Sequence, residues 1–161
     1  MTAQHRELLQ VAIGEADAAL ARGVLPIGAV LAGADGTVLG SGRAGGEDGT
    51  EFMTHAETAA VRAAGELDDY SRTSLVTTMT PCWYCAGMVR FLGIGTVVVG
   101  DSESWSDEAL DWLRDAGVAT VRLNDRSCVE MFTDWASMHG GWSTLPASVE
   151  GKPDAGQSRS H

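Results

Sequence analysis

Residues 73–100 read TSLVTTMTPCWYCAGMVRFLGIGTVVVG, and this stretch decides the fold. Thr73 to Met79 is rich in β-branched residues and predicts a strand over 73–79. Pro81 stops the extended run and predicts a helix near 82–92, because proline suits the first turn of a helix. Gly93 and Gly95 break that helix, and the run Thr96 to Gly100 predicts a second, buried strand. Strands alternating with helices in this way imply an α/β layered fold with a mixed sheet.

The same reading extends outward. Upstream, Leu8, Leu9, Ala12, Ile13, Ala16 and Leu20 recur at spacings of three and four, so residues 6–21 predict an amphipathic helix that ends at Gly23. Strands are expected near 27–33 and 37–42, joined by a hairpin turn at Ala34-Asp35-Gly36. Residues 43–53 form a Gly-rich acidic loop, and an alanine-rich helix follows from about 55 to 65. Downstream, a helix near 106–115, a strand near 117–123 and a helix near 126–137 complete the core. The order α-β-β-α-β-α-β-α-β-α predicts an α/β fold: a three-layer α/β/α sandwich with a central mixed five-stranded sheet. One domain is expected over residues 1–145. A flexible tail is expected over 146–161, where Gly, Ser and Pro dominate.

Composition narrows the function classes. The chain has 161 residues with 11 Lys plus Arg against 22 Asp plus Glu, a net charge of −11, and its single lysine is Lys152. Nucleic-acid binding needs clustered cations to neutralise phosphates, so no nucleic-acid partner is expected and a small neutral substrate fits better. There is no apolar run of ~18 residues and no signal-like apolar core near the start, so no membrane partner is expected either. Three cysteines, two of them in Cys82-x-x-Cys85, argue against a disulfide framework and for a reducing, cytoplasmic setting.

The chemistry concentrates in two short motifs, His55-Ala56-Glu57 and Pro81-Cys82-Trp83-Tyr84-Cys85. A catalytic zinc site uses three nitrogen or sulfur ligands and keeps a fourth position open. His55, Cys82 and Cys85 supply those three, which predicts one Zn2+ per chain. Cys82 and Cys85 are three residues apart and share a helix face, near a helix N-terminus that favours thiolates. Glu57, beside the metal, is the candidate proton shuttle for a water whose pKa zinc lowers towards 7. Each residue has a plainer alternative. The two cysteines could form a redox pair, His55 an ordinary capping or core histidine, and Thr54-His55-Ala56-Glu57 a capping box. Cys128 has no partner motif and reads as a buried apolar thiol. Gly40-Ser41-Gly42-Arg43-Ala44-Gly45 matches the dinucleotide fingerprint, but the acidic loop Gly46-Glu47-Asp48-Gly49 follows instead of a helix.

These motifs resemble the cytidine deaminase superfamily, and most closely the yeast-type cytosine deaminases; H-x-E followed by P-C-x-x-C is the pattern of zinc nucleobase deaminases. The resemblance runs over residues 7–142. It includes Val24-Leu25-Pro26-Ile27-Gly28, Val38 to Gly42, Thr78 to Cys85 and Val97 to Asp101. It implies a homodimer and hydrolytic deamination of a free nucleobase or related aminoheterocycle through a zinc-bound hydroxide. It also implies substrate contacts from Ala56, Thr80 and Cys82, with Ile27, Trp105 and Trp142 as walls. The chain departs from the pattern in two places. Ala44 stands where the family has an asparagine that reads the base edge, and Ser143, Thr144 and Leu145 stand where it has an aspartate. Glu47, Asp48 or Glu51 are the candidate replacements as acceptors. Cytosine, a modified pyrimidine, an aminotriazine or a purine such as guanine all fit this reading. A polynucleotide (tRNA) deaminase and a non-catalytic zinc-binding module are the competing functions.

Overall fold

The computed structural model describes residues 3–139. The expected tail over 146–161, together with Trp142 and residues 143–145, lies outside the described residues.

The helix α1 (Ala3–Leu20) leads into the hairpin β1 (Gly28–Ala32) and β2 (Val38–Arg43). Then come α2 (Ala56–Ala64), β3 (Ser74–Met79), α3 (Trp83–Leu92), β4 (Thr96–Asp101), α4 (Glu108–Asp115), β5 (Ala119–Arg122) and α5 (Arg126–Met138). The five strands form one sheet in the order β2-β1-β3-β4-β5. β1 runs antiparallel to both β2 and β3, while β3, β4 and β5 are mutually parallel. The mixed α/β sandwich expected from the sequence is therefore the fold observed.

Strand alternation builds the two faces of the sheet. Ala29, Leu31, Leu75, Val97 and Val99 point to one side and pack with Ala60, Ala86, Val89, Leu110 and Leu113 of α2, α3 and α4. Val30, Ala32, Val76 and Val98 point to the other side, where Leu8, Leu9 and Ala12 of α1 and Cys128 of α5 cover them. Cys128 is thus a core thiol, and burial pushes it up to about 12.

The glycines of the fingerprint-like run have a packing role. A Cβ at Gly40 would lie 2.4 Å from the carbonyl oxygen of Ala60, and one at Gly42 would lie 2.5 Å from the amide nitrogen of Ala60. Both contacts are with helix backbone, which cannot yield as a side-chain tip can. The absence of side chains at Gly40 and Gly42 therefore lets α2 lie directly on β2. Since α2 begins at the site described below, Gly40 and Gly42 set how close that site sits to the sheet.

The turn joining β1 to β2 takes the expected shape. Gly36 has φ +85° and the Asp35 carboxylate accepts from the Thr37 amide at 2.9 Å. Two helix starts differ from expectation. α2 and α3 begin one residue later, so His55 and Cys82 are N-caps in extended conformation and Pro81 lies outside its helix.

Candidate metal and active site

The site forms where the N-termini of α2 and α3 meet beside the carboxyl end of β3. Three hydrogen bonds hold this junction. The amide of Thr80 donates to the carbonyl of Asp101 at 3.0 Å, tying the exit of β3 to the exit of β4. The Thr80 hydroxyl donates to the same oxygen at 3.3 Å. The amide of Gly28, at the start of β1, donates to the Thr78 hydroxyl at 3.1 Å.

The structure brings His55, Cys82 and Cys85 together. The Nδ1 atom of His55 lies 3.4 Å from Cys82 Sγ and 3.4 Å from Cys85 Sγ, and all three donor atoms lie within 4.8 Å of one another. A tetrahedral zinc with ordinary bond lengths would hold a nitrogen and a sulfur about 3.5 Å apart. The spacing and the donor set therefore fit zinc. The set also fits a catalytic site, because His55, Cys82 and Cys85 are the only cluster of this kind among the described residues and it has three members. The Tyr84 ring meets the His55 imidazole edge-on, with centroids 5.2 Å apart, and helps fix its plane.

The two thiols are unequal. The hydrogen bond from Cys85 lowers Cys82 to about 4, while the same bond and burial push Cys85 up. The bond to Cys82 likewise raises His55. One thiolate is therefore already favoured by the protein's own geometry, at a helix N-terminus that stabilises negative charge.

Glu57 is buried beside this cluster at 4% exposure. Its Oε1 accepts from the Thr77 hydroxyl at 3.2 Å, and its Oε2 lies 3.3 Å from Cys85 Sγ. Burial first, and the Cys82 thiolate second, raise its carboxyl above the usual carboxylate range. The alternative reading of Thr54 to Glu57 as a capping box is not what forms. Thr58 Oγ1 takes the amide of His55 at 3.1 Å, and the Thr54 hydroxyl is spent on Glu51 at 2.6 Å. Helix capping is done one residue along, so the Glu57 side chain points to the metal cluster and not back to the chain.

A cavity of about 280 Å3 opens onto these groups. Ile27, Ala44, Ala56, Thr80 and Trp105, the expected substrate contacts, all line it. Trp142 lies outside the described residues. The sequence reading missed Leu25, Phe52, Met79 and Phe132, which also line the cavity. Phe52 carried a signal, as an aromatic residue in an otherwise polar glycine-rich loop. Phe132 carried none, since its place on α5 reads as ordinary core. Of the three proposed replacement acceptors, none lines the cavity. Glu47 pairs with Arg43, and Asp48 accepts from the Thr50 amide at 3.0 Å. Glu51 reaches the wall only through Thr54.

Residues 2–101 match the family described as "Cytidine and deoxycytidylate deaminase zinc-binding region". The chain belongs to that family. A cytosine deaminase from Candida albicans is 33% identical over 134 residues, covering 81% of this chain and 88% of its own length. A tRNA-specific adenosine deaminase of Streptococcus pyogenes is 31% identical over 128 residues, covering 76% of this chain and 77% of its own. Among solved structures, NE0047 in complex with 2,6-diaminopurine superposes with a TM-score of 0.71 at 19% identity, over 84% of this chain and 82% of that one. A diaminohydroxyphosphoribosylaminopyrimidine deaminase/5-amino-6-(5-phosphoribosylamino)uracil reductase from Thermotoga maritima gives 0.67 at 23% identity; the alignment covers 84% of this chain but spans only 42% of that protein. At these identities the two structures speak for the fold alone. Membership of a family described by its zinc-binding region agrees with His55, Cys82 and Cys85 as a potential zinc site. No helix among the described residues is long and apolar enough to cross a membrane.

Proposed function

We propose that this chain is a hydrolytic deaminase of a free nucleobase or a related aminoheterocycle, with Glu57 as its proton shuttle. The observation that carries the reading is the cavity: small, walled by Ile27, Phe52, Met79, Trp105 and Phe132, and open at its base to the metal cluster and Glu57. A flat ring stacked between apolar and aromatic walls suits such a space. The Candida relative, which is a cytosine deaminase over nearly its whole length, supports the same class.

His55, Cys82 and Cys85 would hold zinc, which would supply the Lewis acid that makes water a competent nucleophile near neutral pH. The chain's own residues do the rest. Thr77 holds Glu57 Oε1, which leaves Oε2 turned to the metal cluster to carry one proton from the attacking water to the ring nitrogen and then a second, from the new hydroxyl, to the departing amine. The raised carboxyl of Glu57 suits a group that must both accept and release a proton. The apolar walls keep bulk water from the reacting carbon.

The relationship to tRNA-specific adenosine deaminases favours a second reading, deamination within RNA. Charge opposes it. The net charge is −11, and the loop at the cavity mouth carries Glu47, Asp48 and Glu51. The experiment is ammonia release by the zinc-loaded protein from cytosine, isocytosine, 5-azacytosine, ammeline, guanine, isoguanine and adenine, with cytidine and a tRNA anticodon stem-loop alongside. Turnover of one or more free bases with silence on the RNA is expected. Turnover of the stem-loop alone would overturn the reading.

A homodimer belongs to the same proposal. Support comes from large apolar side chains left in solvent: Phe52 at the cavity at 82% exposure, and Tyr84 and Phe91 on α3 at 53% and 88%. Burying such groups is the common reason for a stable interface. Sedimentation velocity at micromolar concentration is expected to give twice the chain mass of 16.9 kDa; a single species at the monomer mass would remove the dimer.

A further inference from the structure

The cavity lining includes Val24, Ala44, Gly45, Gly49, Phe52 and Thr54, which we group as one wall. These residues pack on one another: a Cβ at Gly45 would lie 3.1 Å from Val24 Cγ1, and one at Gly49 would lie 3.0 Å from Val24 Cγ2. The side chains are apolar except for Thr54. The backbone offers little more. The amide of Val24 donates to Ala19 O at 3.1 Å and that of Ala44 to Ile27 O at 3.0 Å. The amide of Gly45 donates to Thr54 O at 2.9 Å, that of Phe52 to Thr50 O at 3.0 Å and that of Thr54 to Glu51 O at 2.8 Å. Each of these donors is committed within the chain.

Thr54 is committed in the same sense. Its hydroxyl lies 2.6 Å from Glu51 Oε2, and Glu51 faces Arg62 at 3.7 Å. A carboxylate only accepts, so the proton of this bond belongs to Thr54. What the Thr54 hydroxyl has left is its lone pairs. Among the side chains here the Thr54 hydroxyl is therefore the one acceptor, set in an apolar wall where the amides of Val24, Ala44, Gly45, Phe52 and Thr54 are spent within the chain. An asparagine at position 44 would have offered both a donor and an acceptor; Ala44 offers neither.

We infer that Thr54, oriented by Glu51, is a specificity-determining residue that selects ring edges carrying an N–H donor over those carrying a carbonyl oxygen. The inference rests on the free-base reading above. A carbonyl buried against the side chains of this wall loses its water without gaining a side-chain donor, whereas an amino group in the same place meets the Thr54 oxygen. The substrate class is then an aminoheterocycle with an amino group where cytosine, guanine or ammeline has a carbonyl.

The test is equilibrium binding by titration calorimetry to zinc-loaded Glu57→Gln, which leaves the ligands chemically intact. The probes are three matched pairs that exchange one carbonyl for one amino group: cytosine with 2,4-diaminopyrimidine, guanine with 2,6-diaminopurine, and ammeline with melamine. In at least one pair the amino member is expected to bind about tenfold tighter or more. Adding Thr54→Val should collapse that ratio to near one, while adding Thr54→Ser should keep it. Zinc content and far-UV circular dichroism confirm that each variant is folded and loaded. Carbonyl members binding as tightly as their partners, or a ratio untouched by Thr54→Val, would overturn the inference while leaving the free-base reading standing. Failure of all six compounds to bind would remove the free-base reading itself, and the inference with it.

Discussion

Replacing Glu57 with glutamine is expected to lower kcat by at least about 10²–10⁴-fold while leaving a folded protein that holds one zinc per chain. The substitution is close to isosteric. A glutamine oxygen still accepts from the Thr77 hydroxyl, which bonds Glu57 Oε1 at 3.2 Å, so the side chain should keep its place. What it loses is the capacity to take up and release a proton. Capping is not a confounding role, because the amide of His55 goes to Thr58 and not to Glu57. The stability readout separates chemistry from collapse. Burial raises the Glu57 carboxyl in the fold, so the folded state holds its proton more firmly than the unfolded chain does. Stability contributed by that group is therefore lost as pH rises from the unfolded value of about 4.3 through the raised one. At neutral pH the metal-free variant should melt no lower than the metal-free parent, and any advantage should fade as pH falls. Ammonia release with a saturating base measures the first effect and a melting curve the second. Turnover within about tenfold of the parent would remove Glu57 from the mechanism.

The sequence carried the fold and the metal cluster well, for local reasons. β-branched runs such as Thr96 to Gly100 have little choice but to be strands, and Gly93 marks a helix end wherever α3 packs. Ligand chemistry is local too, since few residue sets other than His55, Cys82 and Cys85 place one nitrogen and two sulfurs beside a glutamate. The wall of the cavity was less legible because it is assembled from distant elements. Trp105 and Ile27 came through the family resemblance, but Phe132 enters from α5 and is packed with Trp135, so its apolar character reads as core. The capping-box alternative at Thr54 to Glu57 is not the one taken up, since Thr58 accepts from the His55 amide while the Thr54 hydroxyl goes to Glu51. Gly40 and Gly42 resembled a phosphate loop for a similar reason. Their freedom from side chains serves the approach of α2, which no pattern within β2 announces.

Cys85→Ser is expected to abolish stable zinc binding and, with it, all turnover. Cys85 is fully buried on the first turn of α3, with Sγ 3.4 Å from His55 Nδ1. Serine offers a smaller, harder oxygen that does not ionise in this pH range, so two of three protein ligands remain and affinity should fall by orders of magnitude. Thermal stability reports this without reference to activity. A ligand that binds the native state at about 100 times its Kd stabilises it by about 2.7 kcal/mol, which for a chain of this length raises the melting temperature by about 5–10 °C. The parent should show that rise on addition of free zinc after chelation, and Cys85→Ser should show little or none. The metal-free melting temperatures of the two should be close, because the hydroxyl fits where the thiol was and Thr80, Asp101 and the sheet hold α3 in place. A Cys85→Ser protein that recovers one zinc per chain, with an unchanged melting shift, would take Cys85 out of the ligand set and leave the cluster short of the three ligands a catalytic zinc requires.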